Sequence, residues 1–318
     1  MRMKIACPNK SFSYFNLRSL FLSKPMVTVG VCVKDSAFTI CETIESIIAQ
    51  DYPHELMEVI FVDDGSEDET LAIIKRYASK MDMKVKIFHH KWRGLGFSRN
   101  IVVNNAEGKY IVWVDGDIIL PRDHVRKQVE FMEKNPKTAI AGGRYELLNQ
   151  TSLVAFLDNL EYVAYRFKSG TNLPGTGGAI HRVEAIRRIG GFDKNITGSC
   201  EDIDIAYRVK VAGWSVVRDK APFYGRSKET WRELWKHCIW HGYGAHYLVH
   251  KNKNLISLPR MSPLAALIGG ILYSTFAYRL VKRKTVFLLP FQILFKNIAW
   301  WIGFIRGHMD NYGHSCRK

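Results

Sequence analysis

The chain has 318 residues, 47% hydrophobic and 24% charged, a balance that supports a sizeable core and excludes disorder as the main state. The formal charge of +16 is unevenly placed, because residues 1–205 carry 27 Lys and Arg against 26 Asp and Glu while residues 206–318 carry 19 against 4. That basic last third expects an anionic partner: a phosphate-rich substrate, a nucleic acid or a membrane surface.

Length alone predicts two domains, or one large domain with an appendage. The first 24 residues contain no apolar run of secretory length, so no signal peptide is expected. Ser11 to Leu22 spaces Phe12, Phe15, Leu17, Leu20 and Phe21 roughly as a helix would, and reads either as an interfacial helix or as an extension before Met26. From residue 27 strands and helices alternate. Val27 to Val33 is an apolar β-branched run, Thr39 to Ala49 places Ile40, Ile44, Ile47 and Ile48 on one helical face, and Glu58 to Val62 is again a strand. Ser66, three residues before Glu69, predicts a reciprocally capped helix start. Val85 to Phe88 and Tyr110 to Val114 continue the strands, with a helix through Ser98 to Asn105 between them. Alternation of this kind predicts a doubly wound, parallel α/β sheet with its ligand crevice beyond the strand ends.

After about residue 225 the texture changes. Thr230 to His250 reads as a helix rich in Trp, Tyr and His, followed by apolar stretches Pro263 to Tyr278 and Val286 to Ile305. The aromatic set Trp231, Trp235, Trp240, Tyr243 and Tyr247 predicts an amphipathic face at the sheet or a membrane. His237 and His241 share a helical face with Cys238 nearby, but no third ligand stands at a matching spacing; helix packing or a phosphate contact is expected there rather than zinc. Six scattered cysteines without metal spacing fit a reducing compartment.

Three acidic clusters carry the chemistry. Asp63-Asp64 stands where a strand ends and a helix begins, and one of the pair can simply favour the helix dipole. Asp115-Gly116-Asp117, directly after an apolar strand, offers two carboxylates that can converge on one hard cation holding a diphosphate. Glu201-Asp202-Ile203-Asp204 opens a helical pattern through Ile205, Val209 and Ala212; one carboxylate there can act as a general base while Arg208 holds another. Upstream, Gly175-Thr176-Gly177-Gly178 permits close backbone approach to a ligand.

Taken in order, Val27–Asp35, VDDGSEDET (62–70), GFSRN (96–100), VDGD (114–117), GTGGAIHR…IGGFD (175–193) and EDIDIAYRVKVAGW (201–214) resemble the GT-A fold glycosyltransferases of family 2, over about residues 26–250. The resemblance implies an inverting, nucleotide-sugar-dependent transferase. Asp64 would contact the nucleotide base together with Cys32 and Lys34, and Lys91 and Arg99 would contact phosphate or ribose. Asp115 and Asp117 would be the DxD motif, binding Mn²⁺ or Mg²⁺ and through it the donor. Asp202 would be the general base, with Gly177, Gly178 and Glu201 on the acceptor side. Lys34-Asp35 stands where many relatives have Tyr-Asn, Tyr224-Gly225-Arg226 where relatives often carry His, and Ile119 where polyprenyl-phosphate mannose synthases often carry Gln. The QxxRW motif of processive members is missing around Trp231-Arg232, which predicts non-processive transfer.

The resulting expectation is an α/β protein with a GT-A (Rossmann-like), doubly wound, mainly parallel sheet and a C-terminal hydrophobic or amphipathic helical appendage. Its divisions are an N-terminal extension (1–25), a catalytic domain (26–228) and an aromatic, basic, membrane-associated region (229–318). The expected partners are a UDP- or GDP-linked sugar, a glycan or lipid-linked acceptor and an anionic membrane surface, with the catalytic domain cytoplasmic. A polyprenyl-phosphate acceptor is the alternative on the same fold. A basic RNA-binding protein is the rival class, but no RNA-module motif is present and no nucleic acid is expected. At 1.5 Å per residue, residues 263–278 extend about 24 Å, short of a roughly 30 Å hydrocarbon core. Two full spans would also put Lys282-Arg283-Lys284 outside, against the positive-inside tendency, so an interfacial or re-entrant hairpin is expected.

Overall fold

The computed structural model describes residues 26–147, 152–168, 174–253 and 255–314. The expected N-terminal extension, with its helical spacing at Ser11 to Leu22, lies outside them.

Strands β1 (Val27–Val33), β2 (Met57–Asp63), β3 (Lys84–His89) and β4 (Tyr110–Trp113) alternate with helices α1 (Ile40–Ile48), α2 (Thr70–Ala78) and α3 (Leu95–Asn105). They pair in parallel in the order β3-β2-β1-β4, each joined to the next in the chain by a crossover helix. Every residue of β1 and β2 is buried, as continuous apolar runs require in a sheet covered on both faces. Two apolar layers sandwich it, one around Ile40, Ile44 and Phe61, the other around Ile60, Trp113 and Phe192.

The second half of the sheet breaks the simple alternation. After β5 (Ile118–Ile119), α4 (His124–Lys134), β6 (Thr138–Leu147) and α5 (Leu153–Lys168), strand β7 (Ala179–Arg182) inserts antiparallel between β4 and β6. Short α6 (Val183–Arg188), α7 (Glu201–Val211) and β8 (Ser215–Gly225) follow; β8 runs parallel to β6 and antiparallel to β5. The full order is β3-β2-β1-β4-β7-β6-β8-β5. Because β7 starts where β4 ends, the Gly175–Gly178 loop lands beside Asp115 and Asp117.

One expected local motif does not form. α2 begins at Thr70 without a Ser66–Glu69 box. Instead Asp68 Oδ1 accepts from the Thr70 N–H at 3.0 Å, while the Ser66 hydroxyl donates to buried Asp63 and accepts the Asp35 N–H at 2.9 Å. A buried carboxylate needs donors more than an exposed helix end does, and Asp63 takes the serine.

The C-terminal third folds back on the sheet domain. α8 (Trp231–Lys251) starts with a complete capping box between Thr230 and Glu233. α9 (Pro263–Val281) runs past the expected end at Tyr278 to include Arg279, and α10 (Leu289–Met309) follows a 3₁₀ turn at Lys284–Leu288. α10 lies directly along α8. A Cβ at Gly242 would sit 1.8 Å from the Trp300 carbonyl oxygen, and one at Gly303 would sit 2.0 Å from that of Ile239, so only glycines allow these backbones to touch.

α10 turns two polar side chains inward. Lys296 Nζ reaches Asp158 at 2.6 Å and Glu161 at 3.0 Å on α5, and Asn297 donates to the Met261 carbonyl at 2.7 Å. Phe291, Ile298, Ile302 and Ile305 face outward, as do Leu264, Ile268, Ile271 and Leu272 of α9. The aromatic side chains of α8 are divided, Trp231 and Trp240 partly exposed and Tyr247 buried. Trp231 and Trp235 pack on Phe295, Tyr243 stacks on Tyr312, and buried Tyr247 donates to Asp193 at 3.0 Å. These partners come from segments distant in the chain, which helical spacing does not register.

Candidate active site

A cavity of about 650 Å³ opens at the carboxyl ends of β1, β2 and β4, where open α/β sheets bind ligands. Its lining includes Cys32, Lys34, Asp64, Arg99, Asp115, Asp117, Gly177, Glu201 and Asp202. Chain segments 32–39, 92–99, 115–117, 175–177 and 197–202 thus converge on one crevice. Two of the expected residues stand apart: Lys91 is exposed outside the lining, and Gly178 is buried behind it, its N–H donating to the Trp113 carbonyl at 2.9 Å.

The acids differ sharply in what they touch. Asp63 is fully buried and bonded to Ser66 and to His89 Nδ1 at 2.7 Å, so it holds the turn. Asp64 faces the crevice with both oxygens engaged, accepting the Arg93 N–H at 2.7 Å and the Gly94 N–H at 2.9 Å. It pins the loop that forms one wall, and a carboxylate retains further lone pairs for a ligand. Cys32 is buried in the wall, and its burial pushes the thiol well above its ordinary value, which removes it as a nucleophile. Lys34 donates to the Gly65 carbonyl at 2.9 Å and pairs with Asp35 at 3.1 Å on the rim.

Arg99 is buried in the floor of the cavity. Its guanidinium ion-pairs with Glu201 and lies 3.2 Å from Asp115, with Trp113 and Phe192 rings 5.6 and 5.7 Å away. Two carboxylates from separate segments thus engage two of its five N–H donors and form an internal clamp at the cavity wall. Burial pushes the Glu201 carboxyl above the usual carboxylate range, with Arg99 opposing. Confinement likewise raises Asp115; Arg99 opposes it, and the charge of Asp117 adds to it.

Asp115 and Asp117 both open into the cavity, their side chains 40% and 39% exposed. Lys228 Nζ lies 3.6 Å from Asp117. A Cβ at Gly177 would come within 2.8 Å of Asp115 Oδ2, so the glycine keeps the space beside that oxygen clear. Clustered hard oxygen donors opening into one cavity fit a divalent cation of the Mg²⁺ or Mn²⁺ kind.

Asp202 sits in the first turn of α7, preceded by Cys200 in the left-handed region at φ 78°. A non-glycine residue there is backbone strain of the kind concentrated at functional sites, and it turns the first residues of α7 toward the cavity. Asp202 Oδ1 accepts the Ile203 N–H at 2.8 Å, and Asp202 makes no ion pair among the described residues. Asp204 points the other way, paired with Arg208 at 2.8 Å and Lys251 at 2.7 Å.

α8 supplies a wall that linear motifs did not place. His237, Trp240 and His241 line the same cavity, the two imidazole Nε2 atoms 3.2 Å apart. Burial holds both histidines below their ordinary pKa, so they face the crevice as neutral rings. Their i,i+4 spacing was legible; their distance from the acids was not.

Comparison with known proteins agrees with this geometry. The glycosyl transferase family 2 model matches residues 28–187, and that of glycosyl transferase family group 2 matches residues 110–306. An uncharacterized glycosyltransferase of Haemophilus influenzae is 37% identical over 126 residues, covering 39% of this chain and 38% of that protein. A poly-beta-1,6-N-acetyl-D-glucosamine synthase of Staphylococcus epidermidis is 25% identical over 224 residues, covering 68% of this chain and 53% of that one. The chain therefore spans about half or less of these curated relatives. The mannosyltransferase PcManGT from Pyrobaculum calidifontis, solved with GDP-Man and Mn²⁺, shares the fold at a TM-score of 0.60 and 20% identity, covering 92% of this chain and 93% of that one. With the first family model spanning half of its length and the acidic motifs gathered in one crevice, the chain belongs to glycosyltransferase family 2.

Proposed function

We propose that the protein moves one sugar, with inversion, from a UDP- or GDP-linked donor to a hydroxyl of a glycan or lipid-linked acceptor at a membrane surface. The observation that carries this reading is Asp202, an acid without a cationic partner among the described residues, opening into the cavity that holds Asp115 and Asp117. Asp202 takes the acceptor proton while the acceptor oxygen attacks the anomeric carbon; the bond from that carbon to the diphosphate oxygen breaks, and its electron pair leaves with the diphosphate. Asp115 and Asp117 would hold Mn²⁺ or Mg²⁺, which supplies positive charge that favours departure of the diphosphate. Arg99 keeps Asp115 and Glu201 in register beneath the donor. Lys228, beside Asp117, adds a cation at the diphosphate end.

Asp202→Asn tests the assignment. Donor affinity, measured by calorimetry with UDP, GDP and their sugar conjugates, should hold while turnover falls at least ~10²-fold, the usual scale for a lost general base. Near-normal turnover refutes Asp202 as the base, which then lies elsewhere or is replaced by a phosphate acceptor that needs little help from one.

The membrane setting rests on α9 and α10. Both helices are long and apolar enough to cross a bilayer by length and composition. The inward direction of Lys296 and Asn297 removes them as obstacles to lipid contact. The close seating of α10 along α8, however, ties it to the catalytic unit, favouring a helical pair that lies in the interface with Arg279, Lys282, Arg283 and Lys284 at anionic headgroups. Cysteine placed at Arg283 and probed on intact cells with an impermeant thiol reagent, in a background lacking the native cysteines, should stay unlabelled. External labelling refutes the interfacial arrangement.

A further inference from the structure

We propose that His246, His250, His308 and His314 form a second metal site, separate from the crevice acids, that takes a divalent transition ion of the Zn²⁺ class and clips the terminal segment onto α8. Each offers one ring nitrogen, and the four nitrogens lie within 4.8 Å of one another. They come from three places in the chain: His246 and His250 one turn apart on α8, His308 in the last turn of α10, and His314 beyond it.

The hydrogen bonds orient the ring nitrogens. His246 Nδ1 lies 2.6 Å from the Tyr312 carbonyl oxygen, which only a donor can face, so its lone pair is on Nε2. That Nε2 is 3.1 Å from His250 Nε2 and 3.4 Å from His308 Nδ1. Bonds of the length zinc makes to imidazole set tetrahedral nitrogen–nitrogen edges of about 3.3–3.4 Å, so these distances already approach a coordination shell. His314 donates Nδ1–H to Asn311 Oδ1 at 2.8 Å, which leaves its Nε2 as the ligand atom. Ring bonds to a carbonyl or carboxamide oxygen are the usual supports of metal-binding histidines. Gly313, at φ 90°, brings the segment so close that a Cβ there would meet the Tyr247 Cα at 2.8 Å.

The donor set selects the ion. Four imidazoles with no carboxylate suit Zn²⁺, Ni²⁺ or Cu²⁺ and disfavour Mg²⁺ and Mn²⁺, the reverse of the Asp115–Asp117 pair. His246 is only 1% exposed whereas His308 is exposed, so the cluster is anchored on one side and open to ion entry on the other. The clip also braces the active site. Between His308 and His314, the Tyr312 hydroxyl accepts the Thr197 N–H at 2.8 Å and the Gly198 N–H at 3.3 Å, holding the loop that leads to Glu201 and Asp202.

The test uses the full chain without a histidine tag, stripped with chelator and titrated with Zn²⁺ and with Co²⁺ as a spectroscopic probe. One equivalent of Zn²⁺ should bind, Co²⁺ should give the visible bands of tetrahedral nitrogen coordination, and Zn²⁺ should raise the melting temperature by mass action. Asp117→Asn should keep this equivalent, whereas the double variant His250→Ala/His308→Ala should lose it. His314→Gln, outside the helices, should weaken it at least ~10-fold and keeps the test valid if the double variant does not fold. Absence of Zn²⁺ binding, binding indifferent to His314→Gln, or binding lost only with Asp117→Asn overturns the proposal.

Discussion

Replacing Arg99 by Met removes a cation that bridges Glu201 and Asp115 while keeping apolar bulk against Trp113 and Phe192. Both the guanidinium and the Glu201 carboxyl are almost wholly buried, and removing one partner of such a pair costs about 3–5 kcal/mol because the other is left uncompensated. At roughly 2–4 °C per kcal/mol for a chain of this size class, the melting temperature should fall by about 6–20 °C. The loss should depend on pH in a definite direction. Burial already raises the Glu201 carboxyl above its unfolded value, and without Arg99 it rises further. A group with a raised folded pKa contributes stability that is present below its unfolded pKa and is lost as pH rises through the folded one, by up to about 1.4 kcal/mol per pH unit. The deficit should therefore be small near the ordinary carboxylate range and grow into the alkaline range, where wild type keeps its pair. Differential scanning fluorimetry in mild detergent across that range measures it. Arg99→Met/Glu201→Gln should recover much of the loss and most of the pH dependence. A deficit independent of pH, or a double variant as unstable as the single one, refutes the clamp.

Asp117→Asn should abolish metal-dependent donor binding with little change in melting temperature, because its side chain is 39% exposed and its nearest cation stands at 3.6 Å; calorimetry with and without Mn²⁺ decides it, and unchanged Mn²⁺ dependence refutes the role. Gly242→Ala should destabilise by about 1–3 kcal/mol or more, the cost of overpacking, since the new methyl would lie 1.8 Å from the Trp300 carbonyl oxygen. The same change at Gly190, where a Cβ meets nothing within 4 Å, is the comparison that separates steric contact from backbone strain, because φ 84° strains that position alone.

Much of the architecture is local and therefore legible in the amino-acid order. Strand and helix periods, the run Val27 to Val33, and the acids that close β2 and β4 each depend on neighbours within a few residues. The capped start of α8 follows from Thr230 and Glu233 alone. What the sequence left open depends on partners far apart in the chain. Ser66 could cap the helix at Glu69 or bond to Asp63, and in the fold its hydroxyl goes to buried Asp63. The sequence does not show that β4 and α7 bring Asp115 and Glu201 to Arg99, 16 and 102 residues away. Lys296 and Asn297 lie inside the apolar stretch from Val286 to Ile305, and only the fold brings α5 and the turn at Met261 to them as partners. His308 and His314 carry no signal at their spacing from His246, because no periodicity spans 62 residues. Local order determined which elements form and which acids end them. The tertiary structure decided which charges pair, which face of α10 turns inward and which histidines meet, because burial and long-range contact set the energy of each.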